Sequence, residues 1–147
     1  MTHAKPHVKI CCIASVAEAR LAHAAGAAAL GLVSAMPSGP GVISDPTVAE
    51  VAAAMRGTAA RTFLLTARTT AAGISAQHAA AGTTTLQLVD HVPHDELRAL
   101  RHLCPGVELV QVIHVTGSAS VDEAVAVAPL VDAGLLAAFM QAVTAAS

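Results

Sequence analysis

The sequence of 147 residues predicts an α/β fold, a parallel (βα) TIM-barrel-type sheet of about six βα units. Short runs of Val, Ile and Leu alternate with Ala-rich stretches, which is typical of strands and helices in a parallel sheet covered by helices. The strands begin roughly every 20 to 35 residues, the spacing of a (βα) barrel. Because 54% of the residues are hydrophobic and only 12% charged, we expect a single domain over residues 1–147.

Six segments have the length and composition of buried strands. They are residues 8–13, 28–33, 61–65, 84–89, 108–115 and 131–136. A barrel of this type closes with eight strands, so six would leave two sheet edges unpaired and an apolar interior open. We therefore expect an incomplete barrel that forms homo-oligomers through its open edges.

Helix boundary signals fall between these segments. Ser15 and Glu18 have the spacing of a capping box, and Gly26 is placed to end the same helix in a left-handed conformation. Ser120 and Glu123 have the spacing of a second box. The remaining signals are an N-cap, a first-turn proline and two helix-ending glycines: Asp45, Pro46, Gly57 and Gly82.

Composition argues against several classes of partner. The net charge is −2 and Lys and Arg are scattered, which gives no basic patch for nucleic acid. The most apolar stretch, residues 21–33, is shorter than the ~20 residues that cross a bilayer, and residues 1–6 lead into no signal-peptide core. We expect no membrane span, a cytoplasmic location and reduced thiols in the three cysteines.

Several strands resemble those of phosphoribosylanthranilate isomerases. Residues 8–13, Val-Lys-Ile-Cys-Cys-Ile, are similar to the family's opening Val-Lys-Ile-Cys-Gly, and the likeness continues through residues 25–33. Leu86-Gln87-Leu88 resembles the family's Val-Gln-Leu strand. Residues 112–115 and 131–136 are similar to its fifth and sixth strands, so the likeness extends in order to Leu136.

The resemblance implies an aldose–ketose isomerase of tryptophan biosynthesis. Its reaction is the Amadori rearrangement of N-(5-phosphoribosyl)anthranilate, a small sugar phosphate, without a cofactor or a metal. A general acid protonates the ring oxygen while a base removes the C2 proton. The family's base is the first-strand cysteine, which matches Cys11, and the resemblance implies that Lys9 and Gln87 contribute to substrate binding.

The position of Cys11 also supports a catalytic role on physical grounds. It lies at the carboxyl end of a predicted barrel strand, where such folds place their catalytic groups. Lys9 lies on the same side of the strand, and a nearby ammonium favours the thiolate that proton abstraction requires. The alternative is that Cys11 is a small buried hydrophobic residue. Cys12 is expected to point the other way, into the helical layer.

Other positions depart from the family pattern. Ala137 and Ala138 follow Leu136 where the family has Asp-Ser, and that Asp is its general acid. Residues 38–41, Ser-Gly-Pro-Gly, replace a Ser-Pro-Arg whose arginine holds the anthranilate carboxylate. Cys12 replaces a glycine, and Val89-Asp90 replaces His-Gly. Whether the chain is an active enzyme is therefore left open.

The family's phosphate site adds to the departures. Its seventh and eighth strands carry Gly-rich phosphate-binding loops. Residues 137–147 instead indicate one Ala-rich helix, which would suit a truncated or divergent member.

Two residues could substitute for the missing acid. Asp90 follows the fourth strand, and His114 ends the fifth, where a structural imidazole bonded to the backbone is an equal alternative. His91 and His94 are three residues apart, but a solvated pair is the ordinary interpretation and no metal is predicted.

Three hypotheses remain. The first is a phosphoribosylanthranilate isomerase-like protein of reduced or absent activity. The second is a non-catalytic barrel fragment that associates with itself or a partner. The third, suggested by residues 38–41, is a related sugar-phosphate isomerase or binding protein with a changed substrate.

Overall fold

The computed structural model describes residues 7–137 and contains one parallel six-stranded sheet. The strands are β1 Lys9–Ile10, β2 Ala29–Val33, β3 Arg61–Thr66, β4 Thr85–Leu88, β5 Glu108–His114 and β6 Ala133–Ala137. The helices are α1 Val16–Ala24, α2 Asp45–Met55, α3 Ala71–Ala81, α4 His94–Leu103 and α5 Ala119–Val127, followed by a 3₁₀ turn at Ala128–Leu130.

The strands lie side by side in chain order, and each pairs in parallel with the next. Within residues 7–137, β1 and β6 each have one strand neighbour, so the sheet is a curled, incomplete (βα) barrel. The predicted fold class is therefore confirmed. All six predicted strands are present, and β1 is the one that is much shorter than predicted.

Backbone conformation explains the short β1. Cys12 has a φ of 60°, in the left-handed region, so the extended chain cannot continue through it to Ile13. The backbone stays close to β2 beyond this point, because Ile13 N–H donates to the Gly31 carbonyl at 3.2 Å. The first strand thus ends in a turn near Cys11 and Cys12.

The predicted N-cap of α1, Ser15, is confirmed, whereas Glu18 bonds the residue before the cap and not the cap itself. The Ser15 hydroxyl accepts from the Glu18 N–H at 3.2 Å, and the Glu18 carboxylate accepts from the Ala14 N–H at 2.8 Å. Gly26, just past the end of α1, has a φ of 101°. These contacts satisfy N–H groups at the helix start that would otherwise lack partners.

Two other helix signals were wrong in detail. Ser44, rather than Asp45, caps α2 through a 3.3 Å bond from the Thr47 N–H. Ser120 forms no capping box, because its hydroxyl accepts from the Thr116 N–H at 3.0 Å and donates to the His114 carbonyl at 3.3 Å. The Ser120 hydroxyl is thus occupied by bonds to the chain at and after the end of β5 and is not available to cap a helix. Ala137 ends β6 and does not begin the predicted Ala-rich helix, whose other residues, 138–147, lie outside the described residues.

The main core lies between the sheet and its helices. It is built from the outward-facing residues of β2 to β5 and the buried faces of the helices, including Leu30, Leu64, Leu86, Ile74 and Leu97. A second, smaller apolar cluster lines the inner face, with Ala29, Val33, Phe63, Leu65 and Val110. Alternation along each strand separates the two faces, as expected for a period of two residues.

Candidate active site

Polar side chains from distant strands meet on the inner face of the sheet. The Lys9 ammonium on β1 donates to the side-chain carbonyl of Gln87 on β4 and lies 4.8 Å from the centre of the Phe63 ring. Burial lowers the pKa of Lys9 below its ordinary value of 10.5, while Cys11 and Cys12 oppose the shift. The structure therefore brings Lys9 and Gln87, two predicted substrate-binding residues, into direct contact.

An ion pair accompanies this contact. The Arg61 guanidinium at the start of β3 donates to both oxygens of the Glu108 carboxylate at 2.8 Å and lies 5.2 Å from the Phe63 ring centre. The Thr85 hydroxyl also donates to Glu108, at 3.3 Å. Together with Lys9, Arg61 and Phe63 line a hollow of about 420 Å³ that extends from β1 to β6. The sequence analysis did not identify the Arg61–Glu108 ion pair, although each of these charged residues is the first residue of a mostly apolar strand.

The Cys11 thiol lies at the carboxyl end of β1 and is exposed. Gly31 on β2 provides the space that it occupies: a Cβ at Gly31 would be 2.6 Å from the Cys11 Sγ and 3.1 Å from its Cα. The alternative of a buried Cys11 is therefore wrong. The thiol is accessible at the end of the strand where (βα) barrels place reacting groups.

Cys12 was expected to point into the helical layer, and this expectation is wrong. It is exposed, and its thiol donates to the Pro40 carbonyl at 3.7 Å. The left-handed backbone ends the strand alternation and directs Cys12 against Gly41 in the loop between β2 and α2. Desolvation, followed by the effect of Cys11, raises the pKa of the Cys12 thiol above its ordinary value of 9.0, with Lys9 opposing.

Asp90 and His114 line a second hollow of about 330 Å³ at the carboxyl ends of β4 and β5. The loop after β2 forms its other side with Met36, Pro37 and Ser38. The His114 Nε2 lies 2.9 Å from the Val89 carbonyl. Because a carbonyl oxygen only accepts, Nε2 carries the hydrogen in this contact.

A buried glutamine supports the wall of this hollow. The side-chain NH₂ group of Gln111 donates to the backbone carbonyls of Leu88 and Asp90 at 3.1 and 2.9 Å. These bonds fix the chain where it leaves β4 and so position Asp90. Cys11 borders a different hollow, between β1 and α1, so the structure does not place all three predicted catalytic residues around one cavity.

The described residues contain no metal cluster. His91, which with His94 was considered as a possible pair of metal ligands, lies 3.3 Å from a Glu123 carboxylate oxygen. No group of three or more His, Cys, Asp or Glu side chains in residues 7–137 is arranged to hold a metal ion. The same part of the chain has no helix long and apolar enough to cross a membrane.

Comparison with known proteins identifies the class as (βα) barrels. No family model and no curated protein matches the sequence, whereas solved structures match its fold. Phosphoribosylanthranilate isomerase from Thermus thermophilus superposes with a TM-score of 0.74 at 24% identity, covering 89% of this chain and 62% of that one. The fold implied by the sequence resemblance is thereby confirmed.

Two further structures show what the likeness does and does not specify. A phosphoribosylanthranilate isomerase in complex with reduced 1-(o-carboxyphenylamino)-1-deoxyribulose 5-phosphate superposes with a TM-score of 0.77 at 18% identity, covering 91% of this chain and 66% of that one. The YdjI aldolase from Escherichia coli K12 reaches a TM-score of 0.64 at 12% identity, over 84% and 48%. The present chain thus spans less than two thirds of each of these proteins, and barrels of different chemistry share its architecture.

Proposed function

We propose that this chain is a cytoplasmic phosphoribosylanthranilate isomerase-like protein that binds a small sugar phosphate and has little isomerase activity as a polypeptide of 147 residues. The observation that carries the proposal is the exposed Cys11 thiol at the carboxyl end of β1, seated over Gly31 in a fold shared with these isomerases. Cys11 is the general base in this proposal. It removes the C2 proton of the opened aminoaldose, as the resemblance implies.

Lys9 supports that role through charge. Its ammonium interacts electrostatically with both thiols. Gln87, on β4 of the same inner face, fixes the ammonium by accepting its hydrogen bond. Lys9 and Gln87 therefore form a polar pair on the inner face that, in this proposal, contacts the substrate.

The general acid of the proposed reaction has less support in this chain than the general base. Ala137 stands where the family has its Asp, and its methyl group cannot donate a proton. Asp90 and His114 line the same hollow at the carboxyl ends of β4 and β5 and are the proposed substitutes. The His114 Nε2 lies 2.9 Å from the Val89 carbonyl, so His114 also fits the alternative of a structural imidazole bonded to the backbone.

The assay is the loss of phosphoribosylanthranilate fluorescence. We expect the unmodified chain to turn over little, because ring opening without a well-positioned acid forfeits roughly 10² to 10⁴-fold in rate. Ala137→Asp alone should restore little. Adding the seventh and eighth βα units of a full-length relative together with Ala137→Asp should restore much more, since binding of the remote phosphate holds the sugar in reacting geometry.

Cys11→Ala in that extended protein identifies the base. It should lower turnover by about 10²-fold or more, whereas Cys104→Ala, a change at a buried thiol near the end of α4, should preserve it. Asp90→Asn and His114→Gln, made separately in an extended protein that keeps Ala137, show which of the two contributes to proton donation. Rapid turnover by the unmodified chain that Cys11→Ala abolishes would refute the claim of low activity. Turnover insensitive to Cys11→Ala would refute the base.

The open sheet favours a second function, association between copies of the chain. In residues 7–137 the outer edge of β1 is unpaired, and Val8 and Ile10 there are 50% and 38% exposed. Such an edge is a template for pairing with another strand. We expect dimers or larger species in light scattering at micromolar concentration.

A charge placed at this edge tests the association. Ile10→Lys should shift the protein toward smaller species, because a charged edge resists strand pairing. Val125→Lys, a matched change at an exposed position of α5, should not alter the distribution. A sharp monomer peak from the unmodified chain with cooperative unfolding would contradict the proposal.

The loop after β2 favours the third function, a changed substrate. Met36, Pro37 and Ser38 border the hollow that holds Asp90 and His114, and none of the three carries a positive charge. This loop therefore offers no guanidinium to pair with an anthranilate carboxylate. Sugar phosphates lacking that carboxylate should be assayed beside the anthranilate substrate.

A further inference from the structure

Cys11 and Cys12 form a feature that isomerase chemistry does not require, a pair of adjacent exposed thiols. In a regular strand, consecutive side chains point to opposite faces and adjacent cysteines are kept apart. Here the φ of 60° at Cys12 ends the strand. Both thiols are consequently exposed at the carboxyl end of β1.

Two glycines provide the space for the thiols. A Cβ at Gly31 would lie 2.6 Å from the Cys11 Sγ, and a Cβ at Gly41 would lie 2.7 Å from the Cys12 Sγ. Both distances are far shorter than a van der Waals contact between carbon and sulfur. Each thiol therefore occupies a space that an ordinary residue in the neighbouring segment would fill.

The surroundings connect the two thiols to each other and to a positive charge. Burial, followed by the neighbouring Cys11, raises the pKa of the Cys12 thiol. The Lys9 ammonium interacts with both thiols. The Cys12 thiol also donates to the Pro40 carbonyl at 3.7 Å, which ties this turn to the loop between β2 and α2.

We propose that Cys11 and Cys12 together form a dithiol site that chelates a thiophilic electrophile able to take two sulfur ligands, of the class of monosubstituted trivalent arsenicals. Such a ligand bridges the thiols without joining sulfur to sulfur, so it does not require the disulfide geometry that adjacent cysteines rarely reach. The site shares Cys11 with the proposed isomerase function but does not rest on it, because chelation uses the thiols alone and Cys12 has no role in proton transfer.

Phenylarsine oxide is the probe, and its reaction balances without an oxidant. The two thiols lose their hydrogens, two arsenic–sulfur bonds form, and the oxygen leaves as water. Arsenic stays trivalent and neither sulfur is oxidised. The buried Cys104 serves as an internal control, because it has no second cysteine beside it in the sequence.

Intact-mass spectrometry of the full chain measures the adduct. We expect one phenylarsenic group per chain, retained against excess 2-mercaptoethanol and removed by 1,2-ethanedithiol. Cys11→Ser and Cys12→Ser should each weaken retention by about 10²-fold or more, because the second bond forms within a complex already held by the first. Cys104→Ser should retain the group as the unmodified chain does.

Cys12→Gly separates loss of the site from loss of the fold, because glycine adopts a positive φ readily. It should unfold at the same temperature as the unmodified chain or higher and still fail to retain the arsenical. Loss of the group to 2-mercaptoethanol as fast from the unmodified chain as from Cys12→Gly would overturn the proposal. Retention that depends on Cys104 would also overturn it.

Discussion

The two faces of the sheet differ in what they bury, although the same strands form both. On the outer face, Leu30, Leu64 and Leu86 are fully buried against the helices. On the inner face, Lys9, Gln87, Arg61 and Glu108 lie among a few apolar residues beside an open hollow. The outer face therefore supplies most of the stability, and the inner face supplies the polar groups from which a site can be built.

Two consecutive leucines of β3 test this difference between the faces. Of the changes in stability predicted here, the largest is expected at this pair. Leu64 is fully buried in the outer core, whereas Leu65 is 8% exposed in the inner cluster. Leu64→Ala should lower the free energy of unfolding by about 2–5 kcal/mol, because it leaves a cavity in a densely packed layer. Leu65→Ala should cost about 2 kcal/mol or less, since the inner face is less densely filled. Equal losses in urea denaturation would mean that both faces are equally important for stability.

Gly31→Ala sharpens the comparison at the site itself. The added methyl group would lie within 2.6 Å of the Cys11 thiol and 3.1 Å of its Cα, so the end of β1 must move. We expect destabilisation of about 1–3 kcal/mol. Gly134→Ala in β6 is the matched control, because the nearest atom to its new Cβ is 4.0 Å away. Thermal unfolding of both variants decides the point, and an unchanged Gly31→Ala would show that Cys11 is not fixed against β2.

The smallest expected change in stability depends on pH and comes from Asp132, just before the start of β6. Asp132 accepts from the Leu109 N–H at 2.7 Å and pairs with Arg101 at 3.0 Å. The Leu109 N–H, followed by Arg101, lowers the pKa of Asp132 below its ordinary value of 3.8. Its contribution to stability is therefore present above pH 3.8 and is lost as the pH falls through the lowered value.

Asp132→Asn tests this contribution. Because the side chains of Asp132 and Arg101 are 44% and 35% exposed, we expect a loss of no more than about 1 kcal/mol at neutral pH. The difference from the unmodified chain should shrink below pH 3.8. Urea denaturation at several pH values measures it, and a difference that grows on acidification would contradict the assigned sign.

Much of the fold was predictable because its signals are local. Runs of apolar residues marked the six strands, and Ser15 with Glu18 marked the start of α1 through contacts a few residues apart. Ser120 shows where this fails: the same local pattern is overridden by bonds to the end of β5. The exposed position of Cys12 was missed because one positive φ reverses the direction that strand alternation predicts.

The sequence by itself determined the order of the strands and helices, the parallel sheet and the position of Cys11 at a strand end, since these depend on composition and spacing along the chain. Only the tertiary structure decided that Lys9 reaches Gln87, that Arg61 pairs with Glu108 and that Gly31 and Gly41 make room for two thiols. Those contacts join residues on different strands. Their geometry depends on sheet register and curvature, which no local pattern specifies.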